Sequence, residues 1–173
     1  SVILLGGGEP TLYPGFGAMV RFLKELGLQV AVVTNGSNND KITAVAEYFT
    51  DGDWIRLSLD SASDATFQAM HHPKGRGIDL DTICSSAAGI KRRNPAVQLG
   101  YSFVITWQGS EREAGAAVVE NLHEMERATQ RAKQYGFDYI SFKPFLTRAA
   151  EGAEVMDPNQ AAEDREHLLM RLR

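Results

Sequence analysis

Apolar positions in this chain follow two alternating rhythms: short continuous runs, and longer stretches in which apolar residues return every third or fourth place. The continuous runs, rich in β-branched residues, cover 2–5, 28–34, 54–60, 97–105 and 139–142. They predict strands buried on both faces. Between them, Met19, Phe22, Leu23 and Leu26 share a face of a helix over 17–26, stopped by Gly27. Ile42, Val45, Ala46 and Phe49 predict a second helix behind the cap Asp40. Ser63 caps a short helix to about Met70, broken by His71-His72-Pro73-Lys74-Gly75, and another helix follows over 80–92. Ser110 and Glu113 form a capping box for a long helix whose stripe, from Ala114 through Met125 to Tyr135, ends at Gly136. A last helix starts at Pro158 behind Asp157.

Five strand-then-helix units predict an α/β domain over 1–150 with a parallel sheet, and a C-terminal helical extension over 151–173. An open doubly wound sheet and a partial barrel both satisfy this order. A complete eight-unit barrel needs about 250 residues, more than the 173 present. In a parallel sheet the strand ends gather on one rim, here Glu9, Thr34, Asn35, Ser58, Asp60, Thr106 and Lys143. Chemistry in parallel α/β proteins sits on that rim.

Gly6-Gly7-Gly8-Glu9-Pro10 stands at the end of the first strand. Glycines let a ligand approach main-chain groups with no Cβ in the way. Glu9 adds a carboxylate suited to an ammonium group rather than a phosphate; the plain alternative is a Gly-rich connection with a solvated glutamate.

Charge and cysteine content narrow the partners. The formal charge is −4, with 18 basic residues dispersed among 22 acidic ones. This argues against nonspecific nucleic-acid binding and leaves a small charged cofactor open. The single cysteine, Cys84, excludes an intrachain disulfide framework, and its helical series Leu80, Ile83, Ala87, Ile90 marks it as core rather than a reactive thiol. No apolar stretch approaches the ~20 residues that span a bilayer. A cytoplasmic protein is expected, and because the chain opens almost inside a strand, further sequence upstream is expected as well.

Gly7-Gly8-Glu9-Pro10, Thr34-Asn35-Gly36 and Ser58-Leu59-Asp60, each at a strand end and in this order, together resemble the radical S-adenosylmethionine enzymes. The segment 70–74 leading into the helix near residue 80 sits where that family has a basic, Gly-containing turn. The resemblance implies a (β/α)6 partial TIM barrel of which about five units are present. It implies that Gly7, Gly8 and Glu9 hold the amino group of S-adenosylmethionine, that Thr34, Asn35, Ser58 and Asp60 lie by its ribose or methionine, and that Thr106 and the 142–144 main chain lie beside adenine. The family's CxxxCxxC loop, which holds a [4Fe-4S] cluster, is absent from this sequence. The resemblance thus implies a fragment of a radical enzyme acting on a peptide, protein or cofactor, with the cluster held in the parent protein only and the chain alone inactive.

Other residues admit plainer readings. His71-His72 read as a solvated helix end rather than metal ligands, since no cysteine completes a site, and no metal ligand set is assigned. Arg92-Arg93 and the charges over 127–133 read as solvated helix faces. Trp54 and Trp107 are expected in or near the core, with Trp107 also a candidate substrate-pocket wall. Lys143 and Arg148 are candidates to meet a substrate or cofactor carboxylate, or are surface cations. Two further hypotheses remain: a cluster-free nucleotide-binding or scaffold module, and a lyase or aldolase with Lys143 forming a Schiff base.

Overall fold

In a computed structural model of the chain, the described residues are 1–74, 77–107 and 119–145, with the backbone alone of 147–148 and 154–155. The strands are β1 (Val2–Leu4), β2 (Val30–Thr34), β3 (Trp54–Ser58), β4 (Gln98–Ile105) and β5 (Tyr139–Pro144), all parallel and adjacent in chain order. A doubly wound sheet must reverse its direction of winding once. This sheet never does, so its helices stack on one face and the arrangement is that of a partial barrel.

That face holds the core. Val32, Ile55, Leu57, Leu99, Tyr101 and Phe103 point into it and meet α1 (Phe16–Glu25), α2 (Asn39–Ala44), α4 (Leu80–Arg93) and α5 (Met125–Gln134) through Phe16, Val20, Ile42, Ile83, Ile90 and Ala128. The alternate residues, Arg56 and Ser58 on β3 and Gly100 and Ser102 on β4, point to the opposite, helix-free face. Cys84 lies fully buried in α4, as its spacing implied.

At the N-terminal ends of the strands one device appears twice. Asp53, just before β3, accepts from the Val30 N–H of β2 at 2.7 Å and pairs with Lys24 of α1 at 2.6 Å. Asp138, just before β5, accepts from the Leu99 N–H at 2.7 Å and pairs with Lys91 of α4 at 2.9 Å. Each aspartate extends a ladder past its strand and ties a helix to it. Burial works against the Asp53 charge, but Lys24 and the donors on Val30 and Thr50 outweigh it and hold the carboxyl below its usual range.

Several expectations need correction. On α1 the apolar face is rotated: Phe16 and Val20 are buried while Phe22 and Leu26 are each 57% exposed. The second helix ends at Ala44 and tightens into a 3-10 turn over Ala46–Tyr48, with Asp40 in its first turn rather than at the cap, although Ile42, Val45, Ala46 and Phe49 are all buried as expected. The long helix is not continuous to Gly136. Residues 119–121 are not helical, a 3-10 turn occupies Leu122–Glu124, and α5 begins only at Met125; the capping box Ser110 and Glu113 lies outside the described residues. Strand β5 continues through Pro144, because Phe145 N–H supplies the next bond to Ile105 O at 3.0 Å and the proline nitrogen faces away from β4. Thr147–Arg148 pairs antiparallel with Glu154–Val155; the expected helix from Pro158 lies outside the described residues.

Candidate functional site

Glu9 organises the rim. Its side chain caps the 3-10 turn Pro10–Leu12, where Oε1 accepts from Thr11 N–H at 3.1 Å and Thr11 Oγ1 at 2.7 Å. Oε1 also accepts from Thr34 Oγ1 at 2.7 Å, and Oε2 accepts from Asn35 N–H at 2.7 Å. The carboxylate therefore clasps the loop after β1 to the end of β2. Thr34 is itself fixed by accepting from Gly36 N–H at 3.0 Å, and the Asn35 carboxamide accepts from Ser37 N–H at 2.9 Å.

Gly36 explains why an Asn-Gly pair closes this strand without a hairpin. Its φ of +78° is open to glycine, and a Cβ would lie 2.6 Å from Ile83 Cγ2 and 3.0 Å from Leu57 Cδ2. The chain turns there tightly against the core.

A cleft of about 690 Å³ opens beside this network, lined by Gly8, Glu9, Asn35, Asn38, His71 and Lys74 among others. One carboxylate, one ammonium and two side-chain amides thus border a single cavity. Such a set suits a ligand carrying both an α-amino and an α-carboxylate group. Oε1 of Glu9 already takes three donors and Oε2 only one, so Oε2 retains the capacity for an incoming ammonium.

His71 departs from its reading as a solvated helix end. It closes α3 (Asp64–His71), with Nε2 2.9 Å from Leu59 O and 3.6 Å from Asp60 Oδ2. His72 follows in the left-handed region at φ 43° and lines the same cleft as His71. Among the described residues no group of three or more His, Cys, Asp or Glu side chains is placed to hold a metal.

Of the rim residues named from sequence, Gly8, Glu9 and Asn35 border the cleft. Gly7 adjoins it in the chain and Thr34 sits behind Glu9. Ser58 ends β3 on the helix-free face, in register with Ser102. Asp60, at φ 50°, accepts from Val104 N–H through Oδ1 at 2.7 Å and so prolongs the contact with β4 beyond the end of β3. Thr106 is buried, donating its hydroxyl to Val119 O at 2.6 Å. Trp107 packs half-buried against the core, and Lys143 is exposed. Arg148 lies in the short strand Thr147–Arg148, its side chain outside the described residues.

Three supports had no legible sequence signal. Asn121 donates to Asp60 O at 2.7 Å and Val104 O at 2.8 Å and accepts from Thr106 N–H at 2.7 Å. It acts as a short piece of strand joining the ends of β3 and β4. Glu124 sits at the N-terminus of α3, accepting from Ala62 N–H at 2.6 Å, Thr66 Oγ1 at 3.0 Å and the Ser63 hydroxyl. Burial opposes its charge, but these donors outweigh it and hold the carboxyl below its usual range. Arg131, expected on a solvated face, bridges Ala62 O at 3.1 Å and the Asp81 carboxylate and is only 12% exposed; Arg93, by contrast, forms an exposed pair with Glu47.

Fold and cleft define a parallel βα partial barrel with a cleft at the C-terminal rim of its sheet. The chain belongs to the Radical SAM superfamily, whose family model matches residues 1–113. It is 36% identical over 104 residues to an S-adenosylmethionine-dependent nucleotide dehydratase of Thermoplasmatales archaeon (strain ISO4-H5), a match spanning 59% of this chain and 36% of that protein. A protein of the same description from Selenomonas ruminantium is 28% identical over 108 residues, 60% of this chain and 39% of its own. The chain thus spans well under half the length of these relatives. Among solved structures, TYW1 with a lysine-pyruvate adduct bound superposes with a TM-score of 0.63 at 16% identity, over 96% of this chain and 49% of that one. SuiB of Streptococcus suis gives 0.65 at 14% identity, over 96% and 34%. These two likenesses establish the fold.

The residues present fit S-adenosylmethionine and do not fit the cluster. Glu9 and Lys74 match the two charges of its methionine end. Three thiolates are needed to hold a [4Fe-4S] cluster with one iron open, whereas the sequence holds one cysteine. Burial pushes the Cys84 thiol up to about 12, which leaves it protonated and unsuited to bind iron.

Proposed function

We propose that this chain forms the S-adenosylmethionine-binding part of a radical enzyme that acts on a nucleotide. The observation that carries the reading is that Glu9 and Lys74 line one cleft at the C-terminal rim of a radical SAM fold. Oε2 of Glu9 receives the amino group, Gly7 and Gly8 leave their main-chain carbonyls accessible, and Lys74 meets the carboxylate. Asn35 and Asn38 offer amide groups to the polar atoms between. Ser58, Asp60 and Thr106 belong to the ribose and adenine side, where Asp60 and Thr106 act chiefly by holding the main chain in place. S-adenosylmethionine, when bound at a reduced cluster, supplies a 5'-deoxyadenosyl radical.

Peptide, protein and cofactor substrates were the expectation from sequence. The names of the relatives favour a nucleotide instead, and dehydration as the reaction. The setting we propose is the cytoplasm. No helix among the described residues is long and apolar enough to cross a membrane.

The test uses the full-length protein with its cluster reduced, S-adenosylmethionine and each of the common nucleoside triphosphates. The expected result is 5'-deoxyadenosine together with a nucleotide product lighter by one water. Deoxyadenosine formation that no nucleotide stimulates, with no nucleotide product, defeats the nucleotide reading.

A further inference from the structure

We propose that the helix-free face of the sheet carries an oxyanion-binding site built on Arg56, which takes the phosphate end of the substrate. That the oxyanion belongs to a nucleotide rests on the function proposed above; the site itself rests on the following geometry.

Arg56 lies between Ile55 and Leu57, both fully buried in the core beneath the helices. Strand alternation therefore turns Arg56 to the other face. There its guanidinium carbon stands 5.2 Å from the ring centroid of Trp54, two residues earlier on the same strand. Contact with the ring restrains the side chain and leaves its N–H edge for a ligand. Arg56 forms no ion pair among the described residues, and its Nε is buried with no hydrogen-bond partner there. A buried charged donor left unmade costs more than an ordinary hydrogen bond contributes.

Its surroundings supply further donors, and the nearby acid, Asp138, is already paired with Lys91 and the Leu99 N–H. Arg56 is in register with Gly100, and Gly100 with Tyr139. The Tyr139 ring lies across Gly100, where any Cβ would collide with it, so the glycine makes room for the ring. Burial pushes the Tyr139 hydroxyl up, with the Arg56 charge pulling against it and the Asp138 charge adding to the rise, and the group is a neutral donor at pH 7. One layer nearer the rim, Ser58, Ser102 and Ser141 stand in register across β3, β4 and β5. The five strands contain no aspartate or glutamate. A guanidinium, a phenol and a row of hydroxyls on strands without carboxylates suit the oxygens of a phosphate.

Tripolyphosphate alone is the probe, titrated calorimetrically into the full-length protein. Wild type is expected to bind saturably and Arg56→Gln at least about tenfold more weakly, as loss of a charge-assisted pair implies. Ser102→Ala, which removes only a hydroxyl, is expected to weaken binding about threefold. Both variants should keep the wild-type affinity for S-adenosylmethionine. No tripolyphosphate binding by wild type, or equal binding by Arg56→Gln, overturns the site; the second result, with a lowered melting temperature, identifies Arg56 as the partner of a carboxylate in the same protein. A second arm uses nucleoside triphosphates. Tighter binding than tripolyphosphate, with the same dependence on Arg56, supports both proposals, whereas affinity merely equal to tripolyphosphate defeats the nucleotide reading and upholds the oxyanion site.

Discussion

Two carboxylates at the C-terminal end of the sheet have opposite assignments, and their hydrogen bonds show why. Glu9 borders a cleft and keeps acceptor capacity on Oε2. Glu124 is 6% exposed and surrounded by donors from the start of α3, so it serves folding. Its folded pKa is depressed, so its stabilisation is fully present above the unfolded value of about 4.3 and is lost as pH falls through the folded one. Glu124→Gln is expected to lower stability by about 1–3 kcal/mol at pH 7. In denaturant titrations repeated across pH, the gap between wild type and variant should hold above about pH 4.3 and shrink below it. A gap independent of pH would assign the loss to packing rather than to the charge.

At the scale of elements, the turn after β2 connects site and core. Gly36 lets the chain leave the strand so that Asn35 N–H reaches Glu9 while Ile83 and Leu57 close behind it. Gly36→Ala combines a left-handed residue with overpacking and is expected to cost roughly 2–4 kcal/mol. Thermal or denaturant unfolding measures it, and a loss under about 0.5 kcal/mol would contradict the contact described. The sequence made this turn visible because the Asn-Gly pair was followed by a helical repeat. Elements with continuous apolar runs or a strong cap, such as β2 to β4 and the helix opened by Ser63, were legible for the same local reason. The break at 119–121 was not, because Asn121 earns its place through groups on β3 and β4 that are distant in sequence.

For the whole molecule, sequence order along the chain became spatial order in the sheet, and this decided for a partial barrel over a doubly wound sheet. It also split the predicted rim into two parts. Gly8, Glu9 and Asn35 meet at the cleft, while Ser58 faces the other side of the sheet and Asp60 and Thr106 are taken up by main-chain contacts. The pattern of strand ends told which residues reach the rim. It did not tell which of them a neighbouring loop would engage, nor that Lys74 would line the same cleft as Glu9. That shared cleft is the centre of the account, and calorimetric titration of S-adenosylmethionine into the protein and its Glu9→Ala variant tests it most directly. One-to-one binding, weakened at least about tenfold by the substitution, is the predicted result; no binding at about 1 mM ligand, or equal binding by the variant, would contradict it.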